Sequence, residues 1–165
     1  MVGAGCAWHR RTGLVAALAL ILSAGLGIAE TSADSMALGR EVLPGPVPVE
    51  IVRVIDGDTI AVRAHTWLGA FVETRVRLEG IDAPERHGRC ADETALAEQA
   101  RQYLELLLTG AQVRLFEIRN DKYGGRVRAK VITSDGTDVS EAMVLAGLAR
   151  RYHGERRGSW CLPTG

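Results

Sequence analysis

No charge of one sign dominates this chain: 20 lysines and arginines face 20 aspartates and glutamates over 165 residues. A broadly basic surface that would hold any polyanion is therefore excluded, and phosphate binding has to come from local patches. Histidine and cysteine are scarce. His65, His87 and His153 are scattered, and no His/Cys set has the spacing of a zinc site. Internal repeats and low-complexity tracts are absent, so repeat architectures are excluded as well. Long apolar runs are missing except for Leu14 to Ile28, which Ser23 and two glycines interrupt. That run is short for a membrane span of about 20 residues.

What is present at the N-terminus reads as a removable leader. His9, Arg10 and Arg11 precede the apolar run, and the small residues Gly27 and Ala29 suit cleavage after Ala29, with Ala33 as a second choice. The alternative is an uncleaved membrane anchor. Residues 1–29 are thus expected to be a signal peptide, and the protein to be exported to a periplasmic or secreted location with no stable membrane partner once cleaved. Without them 18 basic and 20 acidic side chains remain, because only Arg10 and Arg11 leave. Two local basic patches survive. Six basic residues oppose two acidic ones between Arg114 and Lys130, and Arg150, Arg151, Arg156 and Arg157 cluster near the end. The terminal patch by itself reads as a solvated face. Cys6 leaves with the leader, and the pair Cys90 and Cys161 suggests one disulfide in an exported domain. It would close a loop of about 70 residues, worth roughly 4 kcal/mol in the chain-entropy model. The alternative is two unrelated free thiols.

Residues 30–47 are small, polar and proline-bearing, and read as a linker. The domain is expected over 48–153, with a tail at 154–165. Glu50 to Ile55 is rich in β-branched residues, Asp56-Gly57 is a turn signal, and Thr59 to Ala64 returns as a second strand. His65 to Ala70 reads as a longer turn and Phe71 to Leu78 as a third strand. Asp92 to Leu108 has helical spacing, with Asp92 or Thr94 as cap and Gly110 as stop. Gln112 to Ile118 and Arg126 to Thr133 are two further strands, and Val139 to Ala149 a shorter helix. Three strands, a helix, two strands and a helix suit an α+β fold: a five-stranded OB-fold β-barrel with two main helices.

The chemistry-bearing residues sit at the ends of these elements. Asp56 and Asp58 occupy the first turn, and Asp82 and Glu85 lie just beyond the third strand. Two carboxylates about 4 Å apart repel by roughly 4 kcal/mol at an effective dielectric near 20. Four acids sharing that space therefore need a cation, and oxygen donors suit calcium or magnesium. Taken singly, the first pair is an ordinary hairpin turn and the second a polar strand end. Arg77 lies inside an apolar strand between Val76 and Leu78. It is either half of an Arg–Glu pair on a solvated face or a guanidinium aimed at a phosphate.

Val54-Ile55-Asp56-Gly57-Asp58-Thr59, then Arg77 through Glu85, then Asp121-Lys122-Tyr123-Gly124-Gly125-Arg126, followed by the helix from Val139 to Ala149, together resemble the thermonuclease family of staphylococcal-nuclease-like domains. The resemblance covers about residues 48–153. It implies a calcium-dependent phosphodiesterase acting on DNA and RNA, with magnesium a less suitable ion, and a monomer is expected. It assigns Asp58, Asp82 and the backbone carbonyl of Ala83 to the metal, with Asp56 acting through water. It makes Glu85 the general base, and Arg77 and Arg126 the phosphate-holding arginines, with Arg128 as the alternative to Arg126. Lys122, Tyr123 and Tyr152 would contact substrate. A non-catalytic binding module on the same barrel and a phosphodiesterase for small phosphate esters are the other readings. The full acid–arginine set favours the enzyme over a module that has lost turnover.

Overall fold

The computed structural model describes residues 42–161. The expected leader, both cleavage positions and the linker up to residue 41 lie outside the described residues. In chain order the elements are strands β1 (Val47–Asp56), β2 (Thr59–Trp67), β3 (Ala70–Leu78) and β4 (Ile81–Asp82), helix α1 (Ala91–Leu108), strands β5 (Val113–Asn120) and β6 (Arg126–Thr133), helix α2 (Val139–Leu145) and strand β7 (Arg150–Arg151). Five of them close a barrel in the order β1-β2-β3-β6-β5, and β4 pairs with β7 beside it. This is the expected α+β barrel of the OB type with two helices.

Alternation along the strands fills the barrel. Ile60 and Val62 on β2, Val76 and Leu78 on β3, Leu115 on β5 and Val131 on β6 are buried almost completely. Helix α1 lays Ala97, Ala100, Leu104 and Leu108 against this core, and Met143 of α2 joins it. The barrel closes through a parallel pairing of β3 with β6, in register Arg75↔Arg126 and Arg77↔Arg128. Two strands distant in sequence thereby bring their arginines side by side. The β1–β2 turn is held beneath α1. A Cβ built on Gly57 would lie 2.7 Å from the Ala100 Cβ and 2.9 Å from the Ala83 Cβ, so only glycine lets the acidic turn approach the helix and the β4 end together.

Three boundaries differ from the sequence expectation. The β2–β3 hairpin runs on to Trp67 and Ala70 and turns at Leu68-Gly69, where His65 to Ala70 had read as a long turn. Cross-strand contacts extend it: Arg63 pairs with Glu73 at 3.1 Å, and the rings of His65 and Phe71 meet edge-on at 4.6 Å. Helix α1 starts after Cys90, which makes no side-chain cap. Neither Asp92 nor Thr94 caps it; Glu93 instead reaches back to accept from the Arg89 N–H at 2.8 Å. Helix α2 stops at Leu145 rather than Ala149, because Gly147 takes a φ of 72° and redirects the chain into β7. At the front end, Leu43 bridges to Ile118 and Val47 pairs with Leu115, so residues 43–47 line the barrel. Cys90 and Cys161 are joined by a disulfide that returns the chain end to the start of α1.

Candidate active site

The acids converge at one end of the barrel. The β1–β2 turn presents Asp56 and Asp58, and the short β4 presents Asp82 immediately before Ala83 and Pro84. Asp58 is 6% exposed and Asp82 5%. Thr59 donates its hydroxyl to Asp58 Oδ1 at 2.7 Å, and the Ala83 N–H points to Asp58 Oδ2 at 3.5 Å. The two strand ends are therefore adjacent. Asp56 is half-buried and accepts from the Gly57 N–H at 3.0 Å. Burial raises its carboxyl pKa above the ordinary value, and the nearby Asp58 and Glu85 charges push the same way. Glu85 stands further out with a half-exposed side chain.

Arg77 is the counterion of the buried pair. Its Nη1 donates to Asp58 Oδ2 at 2.5 Å, while Nη2 lies 3.7 Å from Asp82 Oδ1 and donates to the Ile81 carbonyl at 3.2 Å. A solvated pairing with Glu73 does not occur, since Glu73 holds Arg63 instead. Arg126 lies against Asp121 at 2.5 Å with its guanidinium 4.8 Å from the Tyr123 ring. Arg128 turns to Glu79 at 3.3 Å. A cleft of about 470 Å³ opens over this end, lined by Asp56, Asp58, Arg75, Arg77, Glu85, Tyr123, Arg126 and Arg157. Of the two candidates for a second phosphate-holding arginine, Arg126 lines the cleft, whereas Arg128 lines a separate recess with Glu79 and Tyr152. Lys122 lies beside Tyr123, 5.1 Å from its ring, and is exposed. Tyr152 is not brought to the main cleft; its backbone N–H is tied to the Gly80 carbonyl at 2.8 Å.

The C-terminal segment enters the same site. Arg157 forms an ion pair with Glu85, and its Nε lies 2.9 Å from Asp82 Oδ1. Trp160 donates its indole N–H toward Asp82 Oδ2 at 3.4 Å.

A family model described as staphylococcal nuclease homologue matches residues 75–159, more than half of the chain. The chain belongs to the staphylococcal nuclease homologue family. It is 33% identical over 114 residues to an uncharacterized endonuclease of Escherichia coli, covering 67% of this chain and 65% of that protein. Protein ParB of Escherichia coli is 34% identical over 114 residues, and a micrococcal nuclease of Shigella flexneri 36% identical over 115, each covering 64% of this chain. The matches span 58% and 60% of those two proteins, so the chain accounts for less than two thirds of the length of these relatives.

Within this nuclease-homologue domain the residues suit a hard cation. Asp58 and Asp82 are buried oxygen donors, and Asp82 Oδ1 is a buried acceptor with no hydrogen bond. Arg157 Nε is close to that oxygen, but its N–H is not directed at it. A buried carboxylate oxygen left in this way is costly unless a cation or donor satisfies it. The Ala83 backbone N–H stands beside Asp58 as well. Among the described residues no three of the site's carboxylates lie within 4.8 Å of one another; the guanidiniums of Arg77 and Arg157 stand among them. Sequence reasoning missed Arg75, Thr59, Arg157 and Trp160. Arg75 and Thr59 carried a signal, being one or two positions from recognised site residues. For Arg157 the signal was the cysteine pair, since a Cys90–Cys161 bond sets the tail that carries it beside the loop after Glu85.

Proposed function

We propose that this protein is an exported, divalent-metal-dependent nuclease that hydrolyses phosphodiester bonds of DNA or RNA, with calcium as the ion. One observation carries the reading: two buried aspartates from separate strand ends flank one buried arginine beneath a cleft walled by further arginines and a tyrosine. The names of the relatives, an endonuclease and a micrococcal nuclease, support it. The Cys90–Cys161 disulfide supports export, since such bonds persist in oxidising compartments.

Asp58, Asp82 and the Ala83 carbonyl would hold calcium, with Asp56 acting through water, and the ion would supply positive charge to neutralise the phosphate. Glu85, half-exposed at the cleft, takes the proton of the attacking water. The water oxygen bonds to phosphorus as the ester oxygen departs and is protonated from solvent. Arg77 and Arg126 hold the equatorial oxygens, on which negative charge grows, through their planar forks. Tyr123 and Lys122 flank the cleft where a neighbouring phosphate of the strand would lie.

The test is hydrolysis of single-stranded DNA and RNA with calcium, with magnesium and with chelator. Cleavage is expected to stop under chelation and return with calcium; unchanged cleavage in chelator overturns the metal role. Replacing Glu85→Gln is expected to lower turnover by about 10²–10⁴. Ordinary turnover by a folded variant would remove Glu85 as the base.

A further inference from the structure

We propose that Arg157 is a tethered internal competitor for the metal: its guanidinium stands among the ion's carboxylates, and the ion binds by displacing it. The inference rests on the metal-site reading above and concerns the resting state of that site.

Three observations meet at this residue. Arg157 contacts both Asp82 and Glu85, with Nε 2.9 Å from Asp82 Oδ1 and Nη1 paired to Glu85. It also divides the space around the acids. One cleft contains Asp56 and Asp58, a second contains Asp82 and Ala83, and both share Glu85 and Arg157 as their common wall. Finally, the segment is clamped on the far side of the arginine. Arg150 donates to the Ser159 carbonyl at 2.8 Å and stacks on the Trp160 ring at 3.7 Å, and Cys161 is bonded to Cys90.

This arrangement does two things. Without an ion the clustered carboxylates repel, and a guanidinium among them lowers that energy. Arg157 and the ion then want the same oxygens, so they exclude one another. Glu85 bound to Arg157 is also unavailable as a base. Arg157 is therefore a positioning residue of the ion-free site, and its departure frees Asp82 and Glu85 together. The tether makes the competition intramolecular, so it does not weaken on dilution. Gly158 lies between Arg157 and the clamp, and lets the arginine swing out while Trp160 and Cys161 stay in place.

Calcium binding to the mature, disulfide-bonded protein, followed by titration calorimetry and by calcium-induced thermal stabilisation without substrate, tests this. If Arg157 fills the site nine-tenths of the time, Arg157→Gln binds calcium about tenfold more tightly than the parent. Its melting temperature then rises more on adding the ion. Arg157→Lys, which keeps the charge without the fork, falls between the two. Arg156→Gln, one residue away and exposed, leaves the affinity unchanged. Equal or weaker calcium binding by Arg157→Gln overturns the proposal while leaving the metal site intact. Equal tightening by Arg156→Gln also overturns it, because general charge and not displacement would then be the cause. Absence of calcium binding in the parent and in Arg157→Gln alike overturns the metal site itself, and this inference with it.

Discussion

Arg77 shows how a single side chain carries both stability and chemistry. Its strand neighbours Val76 and Leu78 point into the barrel core, so Arg77 points to the other face of the strand, where it is itself only 9% exposed and its charge has to be met. It is met by Asp58 and, more distantly, Asp82. Removing one member of a buried ion pair leaves uncompensated charge and typically costs about 3–5 kcal/mol. Arg77→Ala is therefore expected to lose stability of that order in chelator, as read from urea unfolding, and to recover much of it in calcium, which replaces the missing positive charge. An Arg77→Ala protein with the same stability in calcium and in chelator would mean that the aspartates share no ion. Arg77 was legible in the sequence because a charge inside an apolar strand demands a partner. Arg157 was legible only through the Cys90–Cys161 pair, which sets its segment beside the loop after Glu85, 72 positions away; by itself its run of arginine and glycine looks like solvated surface. Arg126 was legible only as one of two candidates. The turn through Gly124 and Gly125, with Gly125 at a φ of 71°, and the β3–β6 register decide which arginine reaches the cleft.

At the scale of elements, the site depends on how closely the β1–β2 turn approaches α1. A Cβ at position 57 would run into the Cβ atoms of Ala100 and Ala83, neither of which has a flexible end that could move aside. Gly57→Ala is expected to cost about 1–3 kcal/mol by overpacking. It should also weaken calcium binding, because the turn carrying Asp56 and Asp58 must shift away from Ala83. Stability and calcium affinity both equal to the parent would show that the turn has slack. The strands and both helices could be read from β-branched runs, turn dipeptides and helical spacing, because those signals are local. The length of the β2–β3 hairpin could not. Its outer half is held by Arg63 with Glu73 and by His65 with Phe71, pairings that exist only once the register is set. The end of α1 nearest the tail was equally hidden, since Glu93 replaces the expected caps only by folding back on Arg89.

Over the whole molecule the balance of charge limits how nucleic acid is held. With equal numbers of acidic and basic residues, attraction cannot come from a broad positive surface. It has to come from the few cations around the cleft, chiefly Arg75, Arg126 and the exposed Lys122. Neutralising three phosphates of a single strand gives a slope of log K against log salt near −2, since each contact contributes about −0.7. Binding of a labelled single strand to Glu85→Gln in calcium, followed by fluorescence anisotropy, should thus weaken only about 16-fold between roughly 50 and 200 mM salt. Lys122→Ala should flatten the slope by about 0.7 and weaken binding similarly for every sequence, because a phosphate contact carries no base information. A slope steeper than about −5 would require many more phosphate contacts than the cleft provides. The nucleic acid would then run over the β5–β6 basic tract as well, and the compact cleft would be only the cutting end of a longer track.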